Sequence, residues 1–273
     1  MNIRAICTDI DGTLLNKDRE ISRRTIQAIQ SLPKDFPIIL ASSRMPSAMI
    51  HLQKVLDRIE NPLICYNGGY VVNYLSADRH ILGDVCIPLN ICAKIQDFSL
   101  DTSIHLSLYG RDDWFAPKMD FWTEREIRNT KVNPSIQPFE SVIDHWNDRG
   151  CGAHKVMCMG PAEEIQTLFD QLQDSVSHEV HLYRSKDTYI EIAPKKISKA
   201  SALSDVLSFN YDIDMSEVMA FGDNYNDIDL LQAAGHGVAV GNARPEVKAI
   251  ANEITTASID DGVAEMIEKY CLS

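Results

Sequence analysis

The chain has 273 residues, 45% apolar and 24% charged, enough to bury one elaborate domain or two smaller ones. Its formal net charge of −13 excludes a non-specific nucleic-acid binder, which needs a basic face, and no apolar run is long enough to span a bilayer. An anionic substrate is not excluded, because a bound cation can reverse the field inside one cleft.

The polypeptide enters Ile3-Arg4-Ala5-Ile6 at once, so no signal peptide is expected. Seven scattered cysteines without a CxxC pair read as reduced thiols, so a cytoplasmic protein is expected. Residues 3–8 predict a strand that ends in Asp9-Ile10-Asp11-Gly12-Thr13. In extended chain, positions i and i+2 share a side, so such a strand delivers Asp9 and Asp11 to one place. Ser22 then caps a helix carrying Ile26, Ile29 and Leu32. Residues 36–41 predict a buried parallel strand that ends at Ser42-Ser43-Arg44. Pro46 opens a helix with Met49, Ile50, Leu52, Leu56 and Ile59, and residues 63–66 predict a third strand ending at Asn67-Gly68-Gly69. This βαβαβ rhythm predicts an α/β fold with a doubly wound parallel sheet.

The rhythm then breaks. Residues 70–82 read as a hairpin, 89–100 and 162–173 as helices, and 103–109, 155–159 and 180–183 as strands. All three tryptophans (Trp114, Trp122, Trp146) fall here. We read 84–190 as an inserted α+β domain and 1–83 with 191–273 as the core; one continuous large sheet is the alternative. The α/β rhythm resumes with a helix capped by Ser198, a strand at 217–221, a helix at 226–234, a strand at 237–240, and helices at 245–251 and 261–270.

Open parallel sheets bind ligands outside the carboxyl ends of their strands. Those ends collect Asp9, Asp11, Thr13, Ser42 and Gly222-Asp223-Asn224-Tyr225-Asn226-Asp227, with Lys199 at a helix start. Singly, each has a bland reading: a solvated turn, a strand-end cap, a surface lysine, or acids favouring a helix N-terminus. Together, in this order, they fit phosphoryl transfer. Oxygen donors suit Mg²⁺, and no cysteine or histidine cluster for zinc is apparent. Asp9 can attack phosphorus, and Asp11 can protonate the leaving oxygen and then activate water. Ser42 and Lys199 can hold phosphate oxygens, and Asp223 completes a metal site with Asp227 as ligand or support.

These four segments resemble the motifs of the haloacid dehalogenase superfamily. The chain is more closely similar to its Cof-type phosphatases, through Tyr66-Asn67-Gly68-Gly69 and Ile190-Glu191-Ile192-Ala193-Pro194 leading to Lys199. The resemblance implies a Rossmann-like core, an inserted α+β cap, Mg²⁺, and hydrolysis of small phosphorylated metabolites through an aspartyl-phosphate. It implies Asp9 as nucleophile and Asp11 as acid/base. By the same resemblance, Asp9, the Asp11 main-chain carbonyl and Asp223 are expected to hold the metal, with Asp227 alongside. Ser42, Ser43, Lys199 and Asn226 face the phosphate, and Arg44 and Asn67 are candidate substrate contacts. Ser43 departs from the subgroup's usual glycine, which alters the loop beside the phosphate, and Gly69 stands where alanine is commoner.

Sugar phosphates are the first expectation for the substrate, and phosphorylated cofactors the second. Cap candidates for the leaving group are His105, Tyr109, Arg111, Trp114, Lys155, Tyr183 and Arg184, each with core packing or a surface ion pair as the alternative. Two other functions stay open at this point: a sugar phosphomutase that retains the phosphoryl group, and a non-catalytic receiver-like module. The latter needs no second acid at Asp11. A nicotinamide-binding fold is disfavoured, since no GxGxxG follows the first strand. No nucleic-acid or membrane partner is expected, and oligomeric state has no sequence signal.

Overall fold

Ala5–Thr8 forms the first strand, β1, and all four of its residues are buried. A strand apolar on both sides requires a covering layer on each face. The computed structural model describes residues 2–75, 78–184 and 186–272. The chain continues through α1 (Arg23–Ser31), β2 (Ile38–Ala41), α2 (Ile50–Leu56), β3 (Leu63–Cys65), β4 (Tyr70–Leu75) and β5 (Asp78–Asp84). The middle holds α3 (Leu89–Ser99), β6 (His105–Gly110), β7 (Asp113–Ala116), α4 (Phe121–Thr130), β8 (Ser135–Ile136), α5 (Phe139–Arg149), β9 (Lys155–Met159), α6 (Ala162–Val176), β10 (Val180–Tyr183) and β11 (Tyr189–Pro194). Then come α7 (Lys199–Asn210), β12 (Val218–Gly222), α8 (Ile228–Ala233), β13 (His236–Ala239), α9 (Pro245–Ile250), β14 (Glu253–Ile254) and α10 (Gly262–Cys271).

Packing divides the chain into two units. One comprises Met1–Ser43, Met49–Gly83 and Ser198–Ser273, and the other Arg44–Ala48 and Asp84–Ile197. The expected second boundary at 190/191 falls inside β11. That strand pairs along its length with β9 and β10, which carries residues 191–194 into the second unit.

In the first unit the strand order is β14-β13-β12-β1-β2-β3-β4-β5. The pairs from β14 to β3 are parallel, and β4 returns antiparallel to β3. The chain steps one way from β1 to β2 to β3 and the other way from β12 to β13 to β14. Right-handed crossovers therefore set α1 and α2 on one face and α8 and α9 on the other. α10 packs on α1, and α7 on α8. Ile6, Ile38, Ile39, Leu40 and Phe221 are fully buried between these layers. Each contributes about 1.5–3 kcal/mol by leaving water. β1 lies where the strand order reverses, which is where an open sheet leaves a crevice at its carboxyl ends.

The second unit has its own sheet, ordered β10-β11-β9-β6-β7-β8, so the chain is not one continuous sheet. All its pairs are antiparallel except β7 with β8. Leu106 and Leu108 of β6, Val156 and Cys158 of β9, and Ile190 and Ile192 of β11 share a core with residues of α3, α5 and α6. The pleat sends the alternate residues His105, Ser107 and Tyr109 to the other face. β4 and β5 are neighbours as the hairpin reading requires, but its turn at 76–77 lies outside the described residues. Among the described residues no helix is long and apolar enough to cross a membrane.

Elements also appear that the periodicity reading left as loop. In α5, Phe139, Val142, Ile143 and Trp146 do carry helical spacing, and Gly150 ends the helix in a left-handed turn. α4 has no such stripe; Asp120 starts it by accepting from the N–H groups of Trp122 and Thr123.

Candidate active site

The site of the first unit is built where β1 and β12 end. Asp9 continues the ladder, its N–H donating to Phe221 O at 3.0 Å, and it is 5% exposed. The chain then curls through Ile10–Leu14, with Gly12 at φ +88°. A Cβ on Gly12 would lie 2.6 Å from Asp223 Oδ2, so this close approach needs glycine. Thr13 Oγ1 donates to Asp223 Oδ1 at 3.0 Å, which joins the two strand ends.

β12 ends on Gly222, where a Cβ would lie 2.4 Å from the Asp227 Cβ. That space lets the chain turn back, and Asp227 Oδ2 accepts from the N–H groups of Asp223 and Asn224, both at 3.0 Å. Lys199 is the first residue of α7, which Ser198 caps by accepting from Ser201 N–H. Its ammonium donates to Asp9 Oδ1 at 2.5 Å and to Asp227 Oδ1 at 2.7 Å.

Carboxylate oxygens of Asp9, Asp223 and Asp227 all lie within 4.8 Å of one another. One ammonium does not balance three such acids. Burial, then the neighbouring charges of Asp227 and Asp223, hold the Asp9 carboxyl well above the usual range despite Lys199. Asp223 is pushed up to about 6 by burial and by Asp227. Burial alone would discharge Lys199, but Asp227 and Asp9 outweigh it and keep the ammonium above ordinary lysine. A crowded set of hard oxygen donors with uncompensated negative charge fits a divalent cation. Asp227 spends one oxygen on Lys199 and the other on two main-chain N–H groups, so it holds the cluster's shape.

The other expected residues are placed as follows. Asp11 does not join the three-carboxylate cluster. Its side chain is 41% exposed, and Arg19 Nη2 donates to its Oδ1 at 2.8 Å. The strand stops at Thr8, so the same-side rule for extended chain does not reach it. Asp11 still lies close enough for its charge to help raise Asp223. Ser42 is buried, with its N–H on Ile64 O at 2.9 Å, and Ser43 beside it is half-buried. Asn226 Nδ2 donates to Asn67 Oδ1 at 2.9 Å. Arg44 belongs to the second unit and donates from Nη1 to Ala48 O at 3.1 Å.

Two supports escaped the sequence reading. Asn242 donates to Gly12 O at 2.7 Å and accepts from Ser258 N–H at 2.8 Å. Arg244 donates its N–H to Asp223 O at 2.9 Å and its Nε to Asn224 Oδ1 at 2.8 Å. Both follow the carboxyl end of β13, the same signal that marked the other strand ends.

In the second unit Tyr109, Trp114 and Lys155 engage one another, and the other expected leaving-group residues engage neighbours outside that set. His105 lies between Asp120 and Ser107, at 2.9 Å from each, and burial, partly offset by Asp120, lowers its pKa. Trp114 stacks on Tyr109 at 5.6 Å, and the Lys155 ammonium stands 4.3 Å from the Tyr109 ring centre. His181 stacks on Tyr183 at 5.4 Å. Arg111 bonds Asp84, and Arg184 lies over Phe169.

The sequence profile of the haloacid dehalogenase-like hydrolases matches residues 6–267. A Haemophilus influenzae protein named "Putative phosphatase" is 30% identical over 98% of both chains. A Bacillus subtilis 5-amino-6-(5-phospho-D-ribitylamino)uracil phosphatase is 28% identical over 97% of this chain and 96% of its own. The crystal structure of a haloacid dehalogenase-like hydrolase from Bacteroides thetaiotaomicron superposes with a TM-score of 0.85 at 27% identity, covering 98% of this chain and 99% of that one.

Proposed function

The chain belongs to the haloacid dehalogenase-like hydrolases, and we propose that it is a Mg²⁺-dependent phosphatase that hydrolyses a small phosphorylated metabolite through an aspartyl-phosphate. The observation that carries this reading is the Lys199 ammonium bonded to both Asp9 and Asp227, with Asp223 in the same acidic cluster. Asp9, Asp223 and the Asp11 main chain would hold Mg²⁺, which when bound offsets repulsion between a phosphate dianion and the carboxylates.

An Asp9 carboxylate oxygen attacks phosphorus, and the bond from phosphorus to the ester oxygen breaks. Asp11, outside the three-carboxylate cluster, leaves Arg19 to give the departing oxygen its proton. Water then attacks the same phosphorus, Asp11 takes the proton of that water, and Asp9 is released with inorganic phosphate. Lys199, Ser42, Ser43 and Asn226 hold the phosphoryl oxygens while charge develops on them.

The inserted second unit, expected at 84–190 from the sequence, takes the part of the family's cap and selects the leaving group. The relative that acts on a phosphorylated ribitylamino-uracil supports a sugar-like or cofactor-like leaving group. The seven cysteines are all free thiols, which supports a reducing cytoplasm. A screen of purified protein with Mg²⁺ against phosphorylated sugars and cofactors tests the proposal. Release of inorganic phosphate from at least one is the expected result, and none from any of them, nor from an aryl phosphate, refutes it.

A further inference from the structure

We propose that Asn67 is a positioning residue that orients Asn226 for the phosphate, an inference that rests on the phosphatase reading above. Tyr66 and Asn67 stand in succession at φ +53° and +56°, although neither is glycine. That backbone is unfavourable for most residues and least so for asparagine. It persists only where surrounding contacts determine it.

Here two of those contacts reach other strand ends. The Asn67 N–H donates to Ser42 O at 2.9 Å, at the end of β2. Its side-chain Oδ1 accepts from Asn226 Nδ2 at 2.9 Å, in the loop after β12. Asn67 is 3% exposed, so this bond is shielded from water. The turn Tyr66–Gly68 also packs on α7, the helix that begins at Lys199. One buried residue thus joins the loop of Ser42 to the loop of Asn226. The bond fixes which way the Asn226 amide points and leaves its second N–H for a phosphoryl oxygen. Asn67 acts through Asn226 and is not itself the substrate contact.

Asn67→Gly keeps the left-handed backbone and the main-chain bond to Ser42, and removes the side-chain oxygen that Asn226 donates to. With Mg²⁺ and an aryl phosphate, it should raise KM, and the inhibition constant of inorganic phosphate, by roughly fivefold with a smaller change in kcat. In an Asn226→Ala background the same substitution should add less than about twofold, because the two residues act as one unit. In the wild-type protein the Asn226 side-chain amide proton bonded to Asn67, identified by its loss in Asn226→Ala, should exchange slowly with solvent, and more slowly than the other proton of the same amide. No KM change, an equal change in both backgrounds, or fast exchange overturns the inference. The exchange measurement decides it even where Asn67→Gly does not fold. A wild-type protein inert toward every phosphate ester would instead overturn the underlying function.

Discussion

The Lys199 ammonium and the Asp227 carboxylate form an ion pair at 2.7 Å in which neither side chain is exposed to solvent. Deleting one partner of such a pair leaves the other charge buried, at a cost of about 3–5 kcal/mol. Lys199→Met should therefore lower the urea midpoint markedly as well as abolish phosphatase turnover. A variant with wild-type stability would show that the pair does not hold the site together.

Asp9→Asn takes away the proposed nucleophile but not the shape, so turnover of an aryl phosphate should fall by about three orders of magnitude or more while the thermal midpoint moves little. Asp11→Asn should cripple hydrolysis while leaving Mg²⁺ affinity within about threefold, since its side chain lies outside the three-carboxylate cluster. Calorimetric titration with Mg²⁺ separates the two roles; loss of binding in Asp11→Asn would contradict this division.

Mg²⁺ should raise the melting temperature of the EDTA-treated protein and restore its activity, because a ligand that binds only the folded state stabilises it by mass action, about 2.7 kcal/mol at a hundredfold excess over Kd. Asp223→Asn should abolish the melting shift, a readout independent of turnover. Recovery with Zn²⁺ alone would point to a different site.

Gly222→Ala would bring a Cβ to 2.4 Å from the Asp227 Cβ, a contact that neither backbone-anchored group can relieve by rotating. Activity should drop by more than tenfold, with a loss of stability of about 1–3 kcal/mol from overpacking. Full activity would show that the turn after β12 tolerates a different path.

In the second unit, the His154 hydrogen bond, with help from Arg111, holds Asp84 down at about 2, below its ordinary 3.8. A carboxyl depressed in the folded state contributes stability that is complete above its unfolded value and fades as pH falls through the folded one. The urea midpoint should therefore decline between pH 4 and pH 2, an interval set by those two values. Asp84→Asn should flatten that part of the curve, modestly, because the site is partly exposed. An unchanged slope would mean that the pair contributes nothing measurable.

Local patterns made much of the first unit legible. Short apolar runs ending in polar clusters marked β1, β2, β3 and β12, and Ser198 announced α7 through its cap. The second unit was less readable, because α4 begins on an aspartate cap without an apolar stripe. β11 was assigned to the core from residue 191 on, because the antiparallel pairs with β9 and β10 that hold it in the second unit are not written in its own residues. The inference that Asp9 and Asp11 point together from one strand also failed at Asp11, because the chain leaves the extended path at Ile10, just after Asp9.

The sequence by itself determined the inventory: which acids, which lysine, which glycines, and their order at strand ends. Residue type and strand-end position are written locally, in apolar periodicity and turn chemistry. Only the tertiary structure decided that Lys199 reaches across 190 positions to Asp9, that Asp11 stays on the surface with Arg19, and that Asn67 rather than solvent holds Asn226. Those outcomes depend on which strands become neighbours and on which charges burial leaves uncompensated, and neither is a property of any short stretch of chain.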